Sequence, residues 1–102
     1  MTGLRVDVDW RQAFSSDDVP PFLEADIAEV LGAAVRYGDC AETDIVLLVR
    51  LVDGRFGQAT AWCDTTGWGC QDGFTGSIHA TLEEAWASLG DEARDMLIGA
   101  PP

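Results

Sequence analysis

The sequence predicts an α+β fold: a small antiparallel sheet packed against one long helix, with two short helices closing the chain. Three observations carry this expectation. Leu4, Val6, Val8 and Trp10 alternate with Arg5, Asp7 and Asp9, the period-2 signature of a half-buried strand. Asp53-Gly54 separates two apolar runs, a strong hairpin signal. Leu23, Ile27, Val30, Leu31, Ala34 and Val35 recur at the spacing that lines one face of an α-helix. At 102 residues the chain is expected to form a single domain, residues 1–102, burying roughly 65% of the surface its unfolded form exposes.

Taken in order, the N-terminal strand ends near Trp10, with Asp7 and Asp9 facing water; a D-x-D pair on such a strand is read as a solvated face rather than a cation site. Residues 11 to 21 hold Ser15, Ser16, Asp17, Asp18, Pro20 and Pro21, a loop ending in helix-entry chemistry. The long helix then runs from Leu23 to a stop at Gly38. A run from Ile45 to Val52 and another from Arg55 to Cys63 make the central hairpin, and a two-residue turn pairs Val52 with Arg55, Leu51 with Phe56, Val49 with Gln58, Leu47 with Thr60 and Ile45 with Trp62. The face carrying Val46, Leu48, Gly57, Ala59, Ala61 and Cys63 is expected to receive the helix. A short fourth strand is expected over Ser77-Ile78-His79-Ala80. Thr81 and Glu84 match a capping box, with Leu82, Ala85, Trp86 and Leu89 as its buried stripe. Gly90 ends that helix, Asp91 is expected to cap a second with Ala93, Met96 and Leu97 facing inward, and the end at 99–102 is expected to fray.

Charge narrows the function classes. Eighteen Asp and Glu stand against six basic residues, all arginine, for a formal net charge of −12. A surface of that sign opposes direct contact with nucleic acid or an anionic membrane and favours basic partners, while also keeping a small acidic protein soluble. The apolar run Ile45 to Val49 is far short of the roughly 20 residues that a membrane span needs, and Asp7 and Asp9 interrupt any signal-peptide core, so a cytoplasmic protein is expected. Lys and Asn are absent; both are encoded only by codons beginning with two adenines, which points to a GC-rich bacterial genome and makes the all-arginine usage a coding bias.

The densest segment is Trp62-Cys63-Asp64-Thr65-Thr66-Gly67-Trp68-Gly69-Cys70-Gln71-Asp72-Gly73. Trp and Cys are residues that chains bury, and Gly serves where the backbone bends tightly, so this loop holds a defined shape. Trp62, Asp64, Trp68, Gln71 and Asp72 are the candidate partner-binding residues, with the exposed member of the tryptophan pair as anchor. Cys40, Cys63, Cys70 and the only histidine, His79, form an alternative metal or thiol set. Its spacing departs from zinc sites, whose ligands come in pairs two to four residues apart. No phosphate-binding, dinucleotide-binding or hydrolase motif occurs. Neither a cofactor nor catalysis is expected.

The stretch Leu47 to Phe56, the string Trp62-Cys63-Asp64-Thr65-Thr66-Gly67-Trp68-Gly69-Cys70-Gln71 and the segment Ala80 to Glu84 resemble a group of small uncharacterised proteins from actinobacteria and their phages, marked by W-C-D-x-T-G-W-x-C-Q. The resemblance covers roughly the C-terminal half and implies a source and a fold, with no activity attached. The functional expectation is a small acidic interaction protein, in a phage or defence setting, that inhibits a basic nucleic-acid-binding partner; the alternative is the Cys/His metal or thiol module.

Overall fold

The computed structural model of the chain describes residues 3–99. Four antiparallel strands lie side by side in chain order, β1 (Ile27–Tyr37), β2 (Thr43–Leu51), β3 (Phe56–Cys63) and β4 (Asp72–His79), followed by α1 (Leu82–Ser88) and α2 (Asp91–Ile98). Two 3-10 helices, Val8–Ser15 and Glu24–Asp26, precede the sheet.

β2 organises the interior because both of its faces are covered. Ile45, Leu47, Val49 and Leu51 enter one core with Trp10, Ala13 and Phe22 from the N-terminal segment. Val46 and Leu48 enter the other, beneath Ala85 and Leu89 around α1 and Ala93 and Leu97 of α2. A strand buried on both sides needs no polar alternation, which is why Ile45 to Val49 reads as a continuous apolar run. On the first face Trp10, Phe14, Phe22 and Phe74 make a chain of edge-on and tilted rings, with Phe14 and Phe74 centroids 5.1 Å apart.

The long helix expected from Leu23 is instead β1. Two bulges explain the false periodicity: the pairing with β2 steps from Ile27↔Leu51 to Glu29↔Arg50, and again from Val30↔Val49 to Gly32↔Leu48. Each step inserts one unpaired residue into β1. The residues that reach the first core are therefore Ile27, Val30, Ala33 and Val35, a spacing that imitates a helical face although the backbone is extended. Gly38 ends no helix; it lies in the β1–β2 turn and donates its amide to Glu42 at 2.7 Å.

The N-terminal strand is also corrected. Only Val6 bridges the sheet, in parallel with Ala33, and the chain then winds into the 3-10 helix Val8–Ser15, which buries Trp10 and Ala13 one turn apart. Val8 is 82% exposed, the reverse of the alternation read from sequence. Asp7 does not simply face water: its carboxylate accepts the Val35 amide at 2.9 Å and the Arg5 guanidinium at 2.6 Å, capping part of the open edge of β1.

β2 and β3 pair across Asp53-Gly54, but not through a two-residue turn. Leu51 donates its amide to Arg55 at 2.8 Å, leaving a three-residue loop of Val52, Asp53 and Gly54, with Gly54 left-handed at φ 91°, as three-residue hairpin loops require. The register moves by one, to Val49↔Gly57, Leu47↔Ala59 and Ile45↔Ala61. The small residues Gly57, Ala59 and Ala61 consequently face the first core with Ile45 and Leu47, rather than sharing a face with Val46 and Leu48. Phe22 fills the space above Gly57, where an added Cβ would stand 2.7 Å from its ring.

β4 starts at Asp72, well before the short strand expected from Ser77. The C-terminal helices follow the sequence closely. Thr81 Oγ1 accepts the Glu84 amide and the Glu84 carboxylate accepts the Thr81 amide, both at 3.2 Å, a complete capping box. Gly90, not Asp91, is the N-cap of α2, and Gly99 ends it left-handed at φ 71°. The fraying expected at 100–102 lies outside the described residues.

Candidate functional site

The register aligns four residues in one row across the sheet: Arg36 of β1 opposite Asp44 of β2, Asp44 opposite Trp62 of β3, and Trp62 opposite Gly73 of β4. Directly opposed side chains stand about 5 Å apart at Cβ, so cation, carboxylate and indole are neighbours on one face. Gly73 makes this possible. A Cβ there would collide with the pyrrole edge of the Trp62 indole, so the ring rests over the glycine backbone, as aromatic side chains do beside strand glycines.

This row lies beyond the cover provided by the helices. Between it and the start of α2 runs an open groove of about 360 Å³ lined by Arg36, Asp44, Trp62, Glu92 and Met96. Trp62 is 48% exposed. Arg36 bridges the groove, reaching Glu92 at 2.6 Å and Asp44 at 3.3 Å; the hydrogen bond it donates to Glu92, then the one it donates to Asp44, holds its guanidinium more firmly protonated than usual.

The W-C-D motif divides by role. Trp62 is the exposed tryptophan. Trp68 packs against the first core and donates its indole N–H to Gln12 Oε1 at 3.0 Å, so it anchors the β3–β4 loop. Asp64 accepts the Thr66 amide at 2.9 Å and donates its own amide to the Gln71 carbonyl at 3.0 Å, closing that loop. Gly67 and Gly69 turn it with φ of 88° and 86°. Asp72 accepts Ser16 Oγ and the Gly69 amide, both at 2.6 Å, and the Asp17 amide at 3.3 Å. The Ser16 hydrogen bond, followed by that from Gly69, holds the Asp72 carboxyl below its ordinary range. Gln71 is exposed. The motif is thus mainly a loop clasp, with Trp62, Cys70 and Gln71 left exposed.

The sequence reading missed Arg36, Asp44 and Glu92 as companions of Trp62. No local signal marks them, because they meet only through strand register and the seating of α2. The same end of the sheet gathers further carboxylates: Asp39 and Glu42 in the β1–β2 turn, Asp64 in the β3–β4 loop, and Asp17 and Asp18 in the segment clasped by Asp72 and β4.

Every arginine is already paired: Arg5 with Asp7, Arg11 with Glu24, Arg36 with Asp44 and Glu92, Arg50 with Glu29, Arg55 with Asp53 and Arg94 with Asp91. Seven of the 18 acidic residues take part. Eleven carboxylates are left with no cation beside them among the described residues. Exposed pairs of this kind contribute little stability, yet they decide what charge is on offer to a partner.

The alternative metal set does not assemble. Cys63 is opposite Asp72 at one end of the β3–β4 ladder and His79 is opposite Phe56 at the other, a separation of seven residues or roughly 23 Å along the strand. Cys40 and Cys70 are exposed, Cys63 is buried, and all three are free thiols. His79 is engaged with Ser77 Oγ at 2.7 Å. Among the described residues, no group of three or more His, Cys, Asp or Glu side chains is placed to hold a metal ion, and no helix is long and apolar enough to cross a membrane. Compared with known proteins, the chain matches no family model, no curated protein and no solved structure.

Proposed function

We propose that this chain is a non-enzymatic interaction protein that engages a basic protein and competes with nucleic acid for it. The observation that carries this reading is the internal pairing of all six arginines. A protein so neutralised offers carboxylate and almost no positive charge to its surroundings. Carboxylates gathered at one end of the sheet would offer a basic partner the negative charge that phosphates carry, and opposite potentials draw such partners together. Fixed backbone supports the display: Asp18 and Asp72 are held by amides and by Ser16, so part of the charge is positioned before any partner arrives.

A competition experiment tests this. A fluorescently labelled DNA duplex is bound to protamine, an arginine-rich protein, and the chain is added at low salt. Release of the duplex is expected at about 50 mM salt and should fade as the salt rises and screening shortens to a few ångströms. An unchanged DNA signal at low salt, with the chain in large excess, contradicts the reading.

A further inference from the structure

We infer that the groove beside Trp62 is the contact point for an arginine side chain of the partner, stacked on the indole and paired with Asp44. This deepens the reading above and rests on it. Three features converge there. The indole is half exposed and lines an open groove large enough for a side chain. Asp44, its cross-strand neighbour, stands directly beside it. Glu92 lies across the groove. Arg36 engages Oδ2 of Asp44 and Oε1 of Glu92, which leaves the second oxygen of each carboxylate open to another donor. The groove continues past Arg36 to Asp95, which is in no ion pair among the described residues, and to Arg5, so a basic segment running along it meets the carboxylates of Asp44, Glu92 and Asp95 beside two arginines that are themselves ion-paired.

The chain already contains one such arrangement within itself. Arg11 sits over the Trp10 ring, 4.5 Å from its centroid, while its Nε donates to Glu24 at 3.0 Å. One guanidinium there lies against both an indole and a carboxylate. At Trp62 an indole and a carboxylate stand side by side in the same way, and among the described residues no guanidinium lies over that ring. Arginine suits the position better than lysine, because a planar guanidinium stacks on a ring while its edge still donates to a carboxylate.

The test uses the full chain and an acetylated, amidated octa-arginine peptide, with affinity measured calorimetrically at low salt. Trp62→Ala should weaken binding about tenfold, and Asp44→Asn should weaken it severalfold, while Glu83→Gln, on α1 and outside the acidic sheet end, should change it less than twofold. Octa-lysine should bind the native chain more weakly. As a check that depends on no destabilising variant, the Trp62 indole N–H resonance, assigned by its loss in Trp62→Phe, should move on addition of octa-arginine. Equal effects of Trp62→Ala and Glu83→Gln, or a stationary Trp62 resonance while the peptide binds, overturn the groove assignment and leave the broader acidic reading standing. Failure of octa-arginine to bind the native chain at all overturns both.

Discussion

Trp62 rests on Gly73: the two are cross-strand partners on β3 and β4, and the indole occupies the space that a side chain at position 73 would take. Glycine in a strand usually weakens it. Here the missing side chain is replaced by an aromatic ring from the neighbouring strand. Gly73→Val therefore reverses the ordinary preference of strands for β-branched residues. The variant should lose about 1–3 kcal/mol through overcrowding and push the indole outward. Chemical denaturation and the tryptophan emission maximum read the two effects; equal or greater stability with unchanged emission contradicts the packing.

Gly54 gives a cleaner backbone test. It is left-handed at φ 91°, and an added Cβ there meets nothing within 4 Å. Any cost of Gly54→Ala is thus conformational, about 1–2 kcal/mol. Gly54→Asn should cost less, because Asn tolerates this region of the backbone map. If alanine and asparagine prove equally neutral in urea melts, the three-residue hairpin loop is not the one the chain adopts.

What could be read from sequence followed the range over which each signal acts. The capping box at Thr81 and Glu84 is satisfied within four residues, and it stands as read. The apolar run of β2 marked a buried strand, but not that two different cores cover it. β1 was misread because its bulges sit where β2 dictates them: Ala28 and Leu31 are unpaired only relative to Leu51, Arg50, Val49 and Leu48, and no single-strand pattern records a partner's register. The groove was hidden for the same reason. Trp62 announced itself as an aromatic in an unusual loop, whereas Arg36, Asp44 and Glu92 are ordinary charged residues until three strands and α2 bring them together.

Acid should loosen the β3–β4 loop through Asp72. Asp72 accepts donors from Ser16, Gly69 and Asp17, and its carboxyl is held below the ordinary range chiefly by Ser16, then by Gly69. A group whose folded pKa is depressed stabilises the fold at every pH above its unfolded value, and that contribution disappears as pH falls below about 4 toward the lower folded value. Asp72→Asn should lower the melting temperature at neutral pH and flatten the acid limb of the stability profile. Hydrogen exchange at the amides of Gly69 and Asp17 should rise in the same variant. An acid limb as steep as that of the native chain would assign the effect to other carboxylates.

The double-sided sheet makes the sharpest demand. Leu47 and Leu48 are adjacent in β2 and both essentially inaccessible, at 1% and 0%, yet they point in opposite directions. Leu47 joins the aromatic layer of Trp10, Phe22 and Phe74, and Leu48 joins the helical layer of Ala85, Leu89 and Leu97. In a sheet covered on one side only, one of the two would lie near solvent and its truncation would be almost free. With both layers present, Leu47→Ala and Leu48→Ala should each cost about 2–5 kcal/mol. The variants should also differ in what they expose. Loss of Leu47 disturbs the ring stack and should move the Trp10 indole N–H resonance. Loss of Leu48 loosens α1 and α2 and should move that of Trp86, which packs in the helical layer, while leaving the Trp10 resonance in place. A cost below about 1 kcal/mol for either substitution means that one of the two layers is not packed as described.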